Sequence, residues 1–335
     1  MKILALDSSG LVASAAIVED DVLIAEYTTD YKKTHSQTLL PMLDEIRQMI
    51  DLDLHTIDAI AISAGPGSFT GLRIGAATAK GLGLALNLPL VEVPTLEGLA
   101  FNLWGTDKLV CPIMDARRNQ VYTGIYEFCK EEIPEKESSE HQLVMHSIKE
   151  QCAIAVDELV EELNRLGREV IFLGDGVPVY REQILQKLKV PCSFAPAANN
   201  RQRAASVASL GAVYYAHGRT VTAAEHEPEY LRKSQAERER EEQEKAAKEG
   251  VCGSDRLFPA LGQGLLHISE PVKGVTLGKN SERGFDIWKS LLERELLREG
   301  GGSMGALPPS LRSVSLPQEF HEFSLSRSLR PRTGG

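Results

Sequence analysis

An apolar run of strand character ends in an aspartate twice in this chain, Lys2 to Leu6 leading into Asp7 and Leu109 to Met114 leading into Asp115. A restart that far along restricts the fold to one built from two similar halves. After the first aspartate come Ala13 to Val18, a turn at Asp20-Asp21 and Val22 to Tyr27, the pattern of a three-stranded meander. From about Ser36 the period changes: Leu39, Leu43, Ile46 and Ile50 form the stripe of an amphipathic helix, with Pro41 near its first turn or kinking it. Ala59 to Ile62 is a buried strand broken by Gly65-Pro66-Gly67, a small-residue helix runs from Phe69 to Leu86, and Pro89 and Pro94 close the unit. After the second aspartate, Val121 to Tyr126 reads as a strand, Lys130 to Glu140 as charged turn, Val156 to Leu166 as a helix, and Val170 to Leu173 as a strand. Gly174-Asp175-Gly176 makes a sharp turn, and Ala204 to His217 is another small-residue helix. The order predicts an α/β duplication with one crevice between the halves, the first copy clear and the second abbreviated.

Composition narrows the function classes. Of 335 residues, 42% are hydrophobic and 25% charged, as in a globular chain, and the early apolar run stops too soon for a signal peptide or membrane helix, so a cytoplasmic protein is expected. Five widely spaced cysteines without a C-x-x-C pair suggest neither disulfides nor a zinc knuckle. The net charge is -10, and the 11 Lys and Arg against 9 Asp and Glu from Val251 onward leave the acidity in the first 250 residues. Such a chain is a poor candidate for gripping nucleic acid unaided. None of the eight histidines lies three or four residues from another, and no G-x-S-x-G occurs within residues 1–250, which removes the usual footing for a metalloprotease or acyl transferase there.

Two patterns carry chemistry. The Gly65-to-Gly75 segment sends a strand through a glycine-punctuated turn into a helix, which is either a phosphate cradle or a tight turn needing glycine for its backbone; neither nucleotide-loop pattern is present in this segment, and the spacing alone favours the turn. Within that helix Gly71, Gly75, Ala79 and Gly83 recur every four residues, so one flank is bare. Something must come very close there, the chain's own sheet or another subunit's helix, and the spacing does not choose. Asp7 and Asp115 are expected to face each other across the crevice, with Asp7, Ser8, Gly174 and Gly176 forming a degenerate nucleotide site. Asp115 is followed by Ala116-Arg117-Arg118-Asn119, without the bare backbone a phosphate loop needs.

Five separated segments resemble, in order, the bacterial TsaB (YeaZ) family: Leu4-Ala5-Leu6-Asp7-Ser8-Ser9, His35-Ser36-Gln37-Thr38-Leu39-Leu40-Pro41, Gly65 to Gly75, Met114 to Tyr122, and Pro228 to Glu237. The resemblance covers about residues 1–240. It implies a duplicated actin-like (ASKHA, Hsp70- and ribonuclease H-type) fold and a part in forming N6-threonylcarbamoyladenosine at position 37 of tRNAs reading ANN codons. It further implies a non-catalytic subunit that needs no cofactor of its own and forms a heterodimer with TsaD, which transfers the group and binds metal through a histidine pair, with TsaE supplying ATPase activity. tRNA is then held through the complex, and the isolated chain pairs with itself. The family's helical interface carries onto Leu39, Leu43 and Ile46 of one helix and Gly71, Leu72, Gly75, Ala79 and Gly83 of the next. The rival expectation is an active actin-like ATPase or kinase using Asp7.

The expected organisation is a first subdomain at residues 1–105, a second at 106–232, a charged helical extension at 233–250, and a tail at 251–335. The tail holds 12 Gly, 6 Pro and 11 Ser, a composition expected of disorder, and its extension beyond the family's usual end fits a shifted reading frame or read-through.

Overall fold

The computed structural model describes residues 1–132 and 141–232; the expected extension and tail lie outside the described residues. The first half contains β1 (Lys2–Asp7), β2 (Ala13–Glu19), β3 (Val22–Thr29), α1 (His35–Met49), β4 (Ala59–Gly65), α2 (Phe69–Leu86), β5 (Leu90–Pro94) and α3 (Thr95–Ala100). β1 pairs antiparallel with β2 and parallel with β4, giving the sheet order β3-β2-β1-β4-β5. Asp20 and Asp21 both adopt positive φ in the two-residue hairpin, the geometry that follows the strands' right-handed twist.

The second half repeats this with β6 (Leu109–Asp115), β7 (Gln120–Glu132), β8 (His141–Ala155), α4 (Val156–Leu166), β9 (Val170–Leu173), α5 (Val177–Lys187), β10 (Cys192–Phe194) and α6 (Ala204–Ala216). Its order, β8-β7-β6-β9-β10, is that of the first sheet. All five strands are therefore kept. The abbreviation lies in the parallel part: β9 and β10 have 4 and 3 residues where β4 and β5 have 7 and 5, and α4 and α5 have 11 each where α1 and α2 have 15 and 18.

β1 is buried on both faces, which dictates the layers around it. Leu4 and Leu6 pack with Leu39, Leu43 and Ile46 of α1 and Ala79 and Leu82 of α2. The alternate residues Ile3 and Ala5 point the other way and meet Ala204, Val207 and Leu210 of α6. α6, expected in the second subdomain, thus covers the first sheet, with Gly211 set against Ala61 of β4. α3 makes the reciprocal move: Leu96 and Leu99 join Val110, Met114 and Tyr126 on the second sheet. Each half leaves one apolar sheet face uncovered by its own crossovers, and exchanging a helix removes both faces from water, at about 25 cal/mol per Å² of apolar area. Pro41 lies inside α1, beyond its first turn.

Candidate functional site

Between the halves lies a crevice of about 700 Å³. Its first wall is Ser9-Gly10-Leu11 after β1, residues 31–35 before and at the start of α1, and Gly67 to Gly71 at the start of α2. Its second wall is Met114 to Arg117, Tyr122, Asp175 and Val179. Tyr230, Leu231 and Arg232, the last described residues, complete the lining.

That final segment ties the halves together. Glu229 N donates to Ala64 O at the end of β4 (2.7 Å), and Gln151 Nε2 on β8 donates to the Glu229 carboxylate (2.5 Å). The Tyr230 ring lies 4.8 Å from that of Phe69 at the start of α2, while the Arg232 guanidinium donates to Ala116 O on the opposite wall. Gly65, at φ 125°, leaves the space the Glu229 carbonyl occupies.

The four residues expected to form a nucleotide site do not line this crevice. Asp7 is 1% exposed and its carboxylate is fully engaged: Oδ1 accepts from Ser9 N (2.9 Å) and Ser9 Oγ (2.7 Å), and Oδ2 from Ser63 Oγ (2.5 Å). Burial pushes its pKa above the ordinary carboxylate value, against the three hydrogen bonds. Ser8 turns its hydroxyl to Gly71 O (2.9 Å). Gly174, at φ 105°, and Gly176 lie against Ile113 O of β6, Gly176 N donating to it at 3.0 Å. These residues close the ends of the strands and leave the crevice to their neighbours.

Asp115 and Asp175 do reach the crevice, but both are engaged. Asp115 accepts from Arg117 N (2.8 Å) and Tyr180 Oη (2.9 Å) and pairs with the Arg117 guanidinium at 3.0 Å. Asp175 Oδ1 accepts from Asp115 N (3.1 Å), and burial raises its pKa. Tyr180 is pushed up to about 12, by burial first and then by Asp115. A magnesium nucleotide needs carboxylates free to hold metal or water, and neither Asp7 nor Asp115 fits that need. Among the described residues no group of three or more His, Cys, Asp and Glu is placed to hold a metal ion.

The expected interface residues are also redirected. Leu39, Leu43 and Ile46 are core, at most 3% exposed. A β-carbon on Gly71 would overlap the Ser8 carbonyl oxygen, one on Gly75 would overlap the Ser8 hydroxyl, and one on Gly83 would press on Ala223 and Leu90. Leu72 and Ala79 are buried on the same side. The bare flank of α2 therefore admits the chain's own turn after β1, so the contact is internal. The outward face of α2 carries Thr70, Arg73, Ala77 and Leu84, all exposed, with Ile74 half-buried beside them. The sequence reading missed this face, although Thr70, Arg73, Ala77 and Leu84 share a helical period. It also missed Tyr31, Lys32 and Lys33 at the crevice, where an aromatic beside two cations was the available signal.

Two five-stranded halves of one topology, a crevice between them and an exchanged helix on each define the duplicated actin-like class. A family model described as TsaD: tRNA N6-adenosine threonylcarbamoyltransferase matches residues 23–240. The tRNA threonylcarbamoyladenosine biosynthesis protein TsaB of Bacillus subtilis is 34% identical over 240 residues, covering 71% of this chain and 96% of that protein. The Escherichia coli protein of the same name is 30% identical over 245 residues, covering 70% and 96%. Among solved structures, YeaZ from Pseudomonas aeruginosa is 26% identical with a TM-score of 0.51, covering 69% of this chain and 99% of that one. The chain belongs to the TsaB family of tRNA threonylcarbamoyladenosine biosynthesis proteins.

Proposed function

We propose that this chain is the non-catalytic subunit of the assembly that forms N6-threonylcarbamoyladenosine at position 37 of tRNAs reading ANN codons, acting by docking on and activating a TsaD-type transferase. The observation that carries this reading is the burial of Asp7 and its engagement by Ser9 and Ser63, which withdraws from the crevice the carboxylate an actin-like ATPase or kinase of this kind would use. That rival, with Asp7 as its catalytic group, is correspondingly weakened. In this reading the chain needs no cofactor of its own, and ATP and metal belong to TsaD and TsaE. Activation is a shift of the partner's population towards the conformation this subunit binds best.

The docking face proposed is the outward side of α2, Ala77 and Leu84 with Ile74. Their side chains leave room for a partner helix, and the same face serves self-pairing when the chain is alone. Reconstitution with purified TsaD and TsaE, followed by assay of modified tRNA, tests the reading: adding this chain raises the yield, and Ala77→Glu abolishes both the rise and co-purification with TsaD. Because Ala77 is exposed, the variant's stability stays within about 0.5 kcal/mol of the parent. Unchanged TsaD capture by Ala77→Glu overturns the docking face, and magnesium-dependent ATP hydrolysis by the isolated chain, lost in Asp7→Asn, overturns the non-catalytic assignment.

A further inference from the structure

We propose that the mouth of the crevice is a site for single-stranded RNA, its bases stacking on Tyr31 and Tyr230 and its phosphates held by Lys32, Lys33 and Arg117. The proposal rests on the reading of the chain as part of a tRNA-modifying assembly and adds a direct RNA contact to it. Large apolar side chains stand open around one mouth: Tyr31 is 70% exposed, Leu11 60%, Val179 58% and Tyr230 39%, and all four line the crevice. Lys32 and Lys33 carry no ion pair among the described residues. With Arg117 and Arg232 they outnumber the lining carboxylates Asp115 and Asp175, in a chain whose net charge is -10. Aromatic faces beside cations at an open groove are the recurring means of holding unpaired nucleotides, because every base has a face to stack and every phosphate one charge to meet.

The same features select among ligands. A duplex keeps its bases inside the stack, out of reach of Tyr31 and Tyr230. A nucleoside triphosphate brings a metal, and the crevice carboxylates are already engaged. Phosphodiesters need only cations. An acidic peptide satisfies the lysines but leaves the tyrosines without stacking partners.

Fluorescence anisotropy with the full chain and a short labelled single-stranded oligoribonucleotide tests the site. Binding is expected at low salt, with duplex RNA, polyglutamate and Mg-ATP competing poorly. Tyr31→Ala weakens it about tenfold. Lys32→Glu with Lys33→Glu weakens it further and lowers the salt slope by about 1.4, the share of two phosphate contacts on a single strand. Lys189→Glu, beyond the far end of α5, is the charge control and leaves binding unchanged. Equal binding of duplex RNA, full competition by polyglutamate or Mg-ATP, or indifference to Tyr31→Ala overturns the proposal. If no RNA binds while the chain still stimulates TsaD, only this inference falls; bound RNA without stimulation removes the activator role instead.

Discussion

Gly71→Leu is expected to cost about 3 kcal/mol of stability, the upper end for overpacking a closed site, and to lower the melting temperature by roughly 6–12 °C. The position has no spare volume. Even the first added carbon overlaps the Ser8 carbonyl oxygen, a backbone atom that cannot rotate aside, and Ser8 Oγ holds Gly71 O at 2.9 Å from the other side. Accommodating leucine means levering α2 away from β1, which opens the layer where Leu4 and Leu6 meet Ala79 and Leu82. The helix-propensity gain from losing a glycine, up to about 1 kcal/mol, opposes this and is the smaller term. Calorimetry of Gly71→Leu beside Ala77→Glu separates the two flanks of one helix: the first loses stability, the second loses only the partner. A Gly71→Leu protein that melts with the parent and fails only in TsaD capture would return the bare flank to the intermolecular role the sequence suggested.

The second large effect is at Asp7. Asp7→Ala leaves Ser9 N, Ser9 Oγ and Ser63 Oγ without their buried acceptor and is expected to destabilise by about 3 kcal/mol, since one orphaned buried donor costs about 1–3 kcal/mol and the hydroxyls re-aim in part. Asp7→Asn keeps the shape and one acceptor, and its amide donates to the Ser63 hydroxyl. The pH dependence distinguishes it further. The folded-state pKa of Asp7 is raised above 3.8 by burial, so the stability linked to its protonated form is complete below the unfolded value and lost as pH rises through the folded value. Asp7→Asn has no such loss. Its stability relative to the parent is therefore expected to climb as pH rises above the unfolded value of 3.8 in urea titrations, and a flat or falling difference would show that the carboxylate is not penalised by its surroundings. Retained tRNA modification by Asp7→Asn in the reconstituted assembly is expected, because the residue is structural.

Much of the architecture was readable from period alone. α2 has the ends the sequence predicts, and β1, β2, β4, β6, α4, β9 and α6 lie where apolar runs or helical stripes place them. The elements that escaped have weak patterns for physical reasons. β8 is an outer strand with no fully buried side chain among those described and no clean alternation of apolar and polar residues, held by its long pairing with β7. β10 is three residues long, and α5 buries only Tyr180 and Ile184. The glycine spacing of α2 correctly announced a close approach. What approaches is the turn carrying Ser8, a tertiary fact that helical period cannot contain. Asp7 repeats the lesson: a strand ending in aspartate is visible in sequence, whereas the Ser63 hydroxyl that completes its shell comes from 56 positions away.

The short stretch from Glu229 to Arg232 behaves as a staple with a leg in each lobe. Prising the lobes apart breaks either the Gln151 contact or the one to Ala116, and squeezing them drives Tyr230 into Phe69. The gap is thereby held at one width, so an incoming molecule meets a jaw already set.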